Sequence, residues 1–270
     1  MSAAIEDGLA RVVASAQVAE AVQHTGLAAP WVAARAVPGQ FVQLRVSTGL
    51  SPLLRLPLSI AGVDAARGLI EVIYAVVGPK TALLGRMSVG TAVGCLGPLG
   101  HGFEVRASRP RAVLVGGGVG LAPLLYLGSS LRALGQPTVL LAGARTGRQH
   151  LPEFLLARAA DRVLRSSDDG SVGHRGPVTD LLADELEGGC GVYACGPRAM
   201  LREVAARCRS RGAPCQVSVE EYMACGLGVC MGCAVAVRAP GPAPAHGRYQ
   251  RACVEGPVFA ADALDWEDHG

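Results

Sequence analysis

The run from Ala112 to Gly128, AVLVGGGVGLAPLLYLG, constrains the fold more than any other stretch of the chain. It is the longest apolar run, yet five glycines and a proline interrupt its aliphatics, so it makes a poor membrane span and a good strand, loop and helix. Ala112 to Val115 reads as a buried strand, and Gly116, Gly117, Gly118, Val119 and Gly120 read as a tight loop. Pro123 falls where a first helical turn tolerates it, and the helix runs to about Leu134. Strand, glycine loop and helix form the unit of nucleotide-binding sheets, in which the helix N-terminus faces a pyrophosphate. The spacing does not reproduce G-x-G-x-x-G, so an ordinary tight turn is an equal reading.

Strands expected at 138–143, 162–166, 191–195 and 216–219 alternate with helical stretches at 153–160, 179–187 and 198–211, which means a parallel α/β sheet. Cys195-Gly196-Pro197 closes one strand and opens a helix, at the carboxyl edge where ligands of such sheets bind. Cys195 is read equally well as core filler. Asp168, Asp169 and Ser171 follow the third strand, where a carboxylate could accept a ribose hydroxyl and would repel a 2′-phosphate. A solvated turn is the plainer reading.

Before Arg109 the texture is different. Segments 39–46 and 68–78 alternate or are β-branched, with frequent Gly and Pro and no long amphipathic helix, which points to a small all-β barrel. Between them, Leu53 to Ile60 holds Pro57 two residues ahead of Ser59 and could present that hydroxyl to a flat ligand; a satisfied edge strand is the plainer reading.

Past Tyr222, Cys225, Cys230 and Cys233 stand at C-x4-C-x2-C, with Cys253 downstream. Four thiolates at this spacing hold a [2Fe-2S] cluster in plant-type ferredoxins. Gly226, Gly228 and Gly232 suit a loop that must curl closely around sulfide. A structural zinc knuckle or incidental buried thiols are the alternatives. Residues 239–247 are proline-rich and read as a polyproline-like surface loop between the third and fourth cysteines.

With 270 residues the chain suggests two or three domains. A net charge of +3 without any Lys/Arg block argues against nucleic acid. Nine cysteines invite a disulfide reading, but the acids at Glu6 and Asp7 stand where a secretory signal needs basic residues, so a cytoplasmic location with reduced or metal-bound thiols is expected.

The order of parts resembles the ferredoxin-NADP reductase superfamily. Glu220 to Cys233, Cys253 to Phe259, Asp169-Gly170-Ser171, Gly176 to Asp180 and Gly97 to Phe103 are similar to the electron-transfer subunit of type B dihydroorotate dehydrogenase, over nearly the whole chain. The resemblance implies a six-stranded antiparallel FAD-binding barrel (1–107), a Rossmann-like parallel α/β NAD domain (108–219) and a small [2Fe-2S] segment (220–270). It further implies a relay: an FMN-containing catalytic partner oxidises dihydroorotate, and electrons pass through [2Fe-2S] and FAD to NAD+ in pyrimidine biosynthesis. The expected complex is a heterotetramer of two catalytic and two electron-transfer subunits, with no membrane span. No general acid or base is expected on this chain, because a flavin joins one-electron and hydride chemistry while the protein places it.

By the same resemblance Arg55, Leu56, Pro57, Leu58 and Ser59 would lie along the flavin, with Ser59 near N5, and Ile73, Tyr74, Ala75, Lys80 and Thr81 would contact the rest of FAD. Gly116, Gly117, Gly118, Gly120, Asp169, Cys195, Gly196, Pro197 and Met200 would hold NAD, with Cys195 near the nicotinamide, and Cys225, Cys230, Cys233 and Cys253 would ligate iron.

There are departures from the family pattern. Leu56 stands where an arginine is usual, and the charge sits one place earlier at Arg55; Lys80, the only lysine, replaces a glycine; His101 replaces an asparagine; and nineteen residues separate Cys233 from Cys253. Lys80 is expected to compensate by meeting the FAD pyrophosphate. Two other readings stay open: an electron-transfer subunit serving a hydrogenase or sulfur-reducing complex, or a non-catalytic metal-binding, redox-sensing module.

Overall fold

Alternation of apolar and polar residues closes the first third of the chain into a barrel. The strands are β1 (Glu6–Ala19), β2 (Val22–Ala28), β3 (Phe41–Arg45), β4 (Leu56–Asp64), β5 (Leu69–Ala75) and β6 (Ala92–Leu99). They pair antiparallel in the closed order β1-β2-β5-β4-β3-β6. The computed structural model describes residues 5–105, 109–238 and 248–267, so the expected boundary near 107 and the proline-rich stretch 239–247 lie outside the described residues. Val42, Leu44, Leu56, Leu58, Ile60, Ile70, Val72 and Tyr74 fill the barrel interior, each large aliphatic stabilising it by roughly 1.5–3 kcal/mol. The short helices α1 (Pro30–Ala33) and α2 (Pro79–Gly85) lie between β2 and β3 and between β5 and β6.

The next elements are β7 (Ala112–Gly117), α3 (Leu121–Ala133), β8 (Thr138–Ala144), α4 (Glu153–Ala159), β9 (Arg162–Ser167), β10 (His174–Arg175), α5 (Leu182–Glu185), β11 (Gly191–Cys195), α6 (Arg198–Ser210) and β12 (Cys215–Ser218). Their strands are parallel, in the order β10-β9-β8-β7-β11-β12. The helix expected over 179–187 is shorter than its pattern. A 3-10 turn at Val178–Leu181 leads into α5, and Gly188 and Gly189, both at positive φ, follow its end.

Helix α3 is apolar over most of its length, and such a helix must be covered on more than one side. It is: Leu114 and Leu140 of the sheet and Ala61 and Ile73 of the barrel share one core with it, and Tyr126 donates its hydroxyl to Ala36 O at 2.8 Å. An ion pair reinforces the seam, Arg158 of α4 meeting Glu71 of β5 at 3.0 Å. Helix α6 is amphipathic instead, burying Leu201, Val204, Ala205 and Cys208 at helical spacing.

After β12 the chain leaves the sheet for the cysteine segment. It forms a hairpin of β13 (Ala234–Ala236) and β14 (Tyr249–Arg251), then returns as β15 (Val258–Ala260), which adds an antiparallel edge to β12. Cys233, Cys253 and Trp266 share a core with Phe41 and Leu99 of the barrel and Val217 of the sheet, so the segment is packed into both larger units. Among the described residues no helix is long and apolar enough to cross a membrane.

Candidate metal centre and nucleotide cleft

The hairpin explains how a fourth cysteine so far along the chain reaches the other three. Ala234 pairs with Arg251, and the Ala252 N–H donates to Cys233 O at 2.9 Å, so Cys253 follows directly beside Cys233 whatever lies in the hairpin loop. The nineteen intervening residues are therefore no obstacle to ligation. Arg251 fixes the arrangement: it ion-pairs with Glu255 and donates from Nη1 to Gly228 O at 3.0 Å, tying the hairpin to the ligand loop.

The four thiols meet in two pairs. Cys225 neighbours Cys230 and Cys233 neighbours Cys253, and Cys225 also lies within electrostatic reach of Cys253. Among the described residues no three His, Cys, Asp or Glu side chains stand close enough to share one metal ion. Two thiols on each side are what two irons bridged by sulfide require. Burial alone would raise the Cys225 thiol, but the backbone N–H groups of Cys230, Leu227 and Val229 and the Cys230 thiol draw it down to about 6. The Leu227 N–H donates to Cys225 Sγ at 3.4 Å. Burial, then the Cys233 thiol, pushes Cys253 up to about 12, a rise that a bound cation overrides by holding ligand thiols deprotonated. Backbone donors curled around sulfur are the fit that an iron-sulfur group asks of a protein.

The two pairs differ in exposure. Cys233 and Cys253 are buried and Cys230 is exposed. Val229 (81% exposed) and Met231 (52%) flank Cys230 in the chain, and Tyr222 at the start of the segment is 94% exposed, apolar surface that a lone chain gains nothing by showing to water. Met231 holds φ at 59°, a left-handed conformation costing a non-glycine residue roughly 1–2 kcal/mol.

His101, just past β6, turns its ring to Val254, with Nδ1 2.7 Å from the carbonyl oxygen, and its own N–H donates to Gly256 O. The residue that departs from the family pattern thus pins the barrel to the chain beside Cys253.

At the carboxyl edge of the sheet a cavity of about 470 Å³ opens between sheet and barrel. It brings together Ala75, Gly117, Gly118, Pro197 and Met200 of the expected sites. Gly116 and Gly120 stand behind it: a Cβ on Gly120 would fall 2.4 Å from Cys195 O, so only glycine lets these two loops close on each other. A Cβ on Gly196, at φ 151°, would fall 3.0 Å from Gly117 N. Cys195 is buried beneath, its thiol raised by that burial and then by Glu220. Asp169 accepts the N–H and hydroxyl of Ser171 within its own turn, whereas Asp168 lines the cavity. The cavity wall also holds Glu220, raised by burial, and Ser166, whose Oγ is buried without a partner and free to meet a ligand.

On the barrel, Leu56, Leu58 and Tyr74 point into the core, Tyr74 sharing a hydrogen bond with Thr25, so only their backbone is available to a ligand. Arg55, Pro57 and Ser59 alternate outward. Arg55 is engaged by both carboxylate oxygens of Asp7, at 3.0 and 2.7 Å. The Lys80 ammonium donates to Arg55 O at 2.9 Å, and Thr81 caps α2, accepting the Gly78 N–H at 3.1 Å. Ile73 packs in the core beneath α3.

Residues 220–265 match the iron-sulfur cluster binding domain of dihydroorotate dehydrogenase B. The electron transfer subunit of dihydroorotate dehydrogenase B (NAD(+)) from Desulforamulus reducens is 35% identical over 262 residues, covering 96% of this chain and 98% of its own. The chain belongs to the electron transfer subunits of dihydroorotate dehydrogenase B. The Geobacillus thermodenitrificans subunit of the same name is 39% identical over 252 residues, 93% of this chain and 95% of its own. A solved chain of the NADH-dependent reduced ferredoxin-NADP oxidoreductase, from work on flavin-based electron bifurcation, superposes with a TM-score of 0.81 at 31% identity, covering 96% of this chain and 91% of that one.

Three residues beside the expected sites are not singled out by sequence reasoning. Ser166 and Glu220 border the cleft only because β9 and β12 end there. Gln43 of β3 lies under the cysteine loop, and no local pattern marks a glutamine on a strand as anything but surface.

Proposed function

We propose that this electron transfer subunit receives electrons at its cysteine pole from an FMN-containing dihydroorotate-oxidising partner and delivers them to NAD+ in the cleft. The observation that carries the reading is the arrangement of the thiols, two pairs bridging an exposed apolar surface and a core shared with the barrel. When bound, FAD supplies the conversion between single electrons and a hydride. Cys225 and Cys230 would hold the outer iron and Cys233 and Cys253 the inner one. Pro57 and Ser59 would lie along the flavin on the outward face of β4, with Lys80 the cation nearest its phosphates, since Asp7 already occupies Arg55. Gly117, Gly118, Pro197 and Met200 would shape the NAD pocket, with Ser166 and Asp168 offering it polar contacts. Units near 1–107, 108–219 and 220–270 divide these tasks, in the cytoplasm, within a complex of two subunits of each kind.

Anaerobic purification with the partner flavoprotein should give iron, sulfide and FAD together with NAD+ reduction driven by dihydroorotate. Zinc in place of iron, or a protein without flavin, would refute the relay. The likeness to the NADH-dependent reduced ferredoxin-NADP oxidoreductase supports a second reading, the same cofactors serving another partner. A co-purifying flavoprotein inert toward dihydroorotate would select it.

A further inference from the structure

Gln43 sits where the two halves of the relay meet. Its side chain is fully buried, at 0% exposure, and neither Oε1 nor Nε2 has a hydrogen-bond partner; among the described residues it is the one side chain orphaned at both ends. A buried carboxamide carries a desolvation penalty that only a partner relieves. Strand β3 sends Val42 and Leu44 into the barrel core and Gln43 to the outer face, opposite Pro57 of β4. Ser59 lies one pair further along that face, against Phe41. Above Gln43 runs the ligand loop: a Cβ on Gly226, the neighbour of Cys225, would fall 2.7 Å from Nε2 and 2.9 Å from Cγ.

We propose that Gln43 is a cofactor-binding and positioning residue. Its carboxamide hydrogen-bonds the polar edge of the flavin ring lying on Pro57 and Ser59, while its stem braces Gly226 and so fixes the separation of flavin and iron ligands. The inference rests on the barrel being the FAD site. Chemistry selects the flavin edge over cluster sulfur: a carboxamide is donor and acceptor at once, and a flavin pyrimidine edge offers carbonyls and an N–H to match both. Sulfide accepts only, which would leave Oε1 unpaired.

The test replaces the amide by an apolar side chain of similar size, Gln43→Leu, in the full chain. FAD is titrated into flavin-depleted protein by fluorescence quenching. The flavin midpoint potential, the electron paramagnetic resonance of the reduced iron centre and the melting temperature without flavin are measured alongside. The expected result is at least a tenfold rise in the FAD dissociation constant and a shifted flavin potential, with the flavin-free variant melting no lower than wild type because it has lost an orphaned amide. FAD affinity within twofold of wild type would overturn the assignment. So would a flavin-free melting temperature lowered in step with the affinity, which would make Gln43 structural. Gln43→Met serves if the leucine variant misfolds. A wild-type chain that takes up no FAD sinks the flavin reading itself, whereas equal binding by wild type and variant sinks this inference alone.

Discussion

Gly120→Ala isolates the role of close packing at the nucleotide cleft. Gly120 has φ −60° and ψ −12°, ordinary helical values, so alanine meets no backbone strain there. In a helix alanine is favoured over glycine by about 1 kcal/mol. Against this, the new Cβ would lie 2.4 Å from Cys195 O, 2.6 Å from Cys195 C and 2.7 Å from Gly196 Cα, all backbone atoms that cannot swing aside. Ordinary contact begins at 3.4 Å, so the loops after β7 and β11 must part by about 1 Å. Overpacking of this kind costs about 1–3 kcal/mol, so the sum is a loss of roughly 0–2 kcal/mol. Function suffers more than stability, because a 1 Å displacement at a binding site can cost on the order of 100-fold in rate. NADH titration of the variant should show affinity down by about tenfold or more, with iron and FAD content unchanged and a urea midpoint lowered slightly. Wild-type NADH affinity in a variant as stable as wild type would refute the packing argument.

Cys253→Ser should lose the iron centre while retaining FAD, read by iron assay and visible spectrum; full iron content would remove Cys253 from the ligands. The Glu71 carboxyl is held at about 2, below its ordinary 4.5, by the His24 ring 3.5 Å away and then, against burial, by Arg158. Its folded pKa lies below its unfolded value, so its contribution is full above about 4.5 and vanishes as the pH falls through 2. Glu71→Gln should therefore melt lower than wild type at pH 7, with the gap closing between pH 4.5 and 2; a gap constant with pH would be inconsistent with this linkage.

The strand, glycine loop and helix at 112–134 were legible because their signals are local: an apolar run, clustered glycines, a proline at the helix start. The cysteine spacing was legible for the same reason, since three ligands fall within one loop. Long-range geometry was not. Nothing near Asp169 says that it would turn inward upon Ser171 and leave Asp168 to the cleft. Arg55 is expected along the flavin, and nothing near it says that β1 brings Asp7 against it, a residue 48 positions away. Strand β15 is three residues long, too short for alternation to announce it.

That last strand ties the fate of the metal to the behaviour of the protein in solution. The chain bearing Cys253 runs directly into β15, which covers the hydrogen-bonding edge of β12. Stripping the iron slackens the anchor just upstream, and if β15 peels away the sheet presents a row of bare amides and carbonyls to its neighbours. Oxygen damage to this subunit is thus expected to register as clumping as well as lost colour.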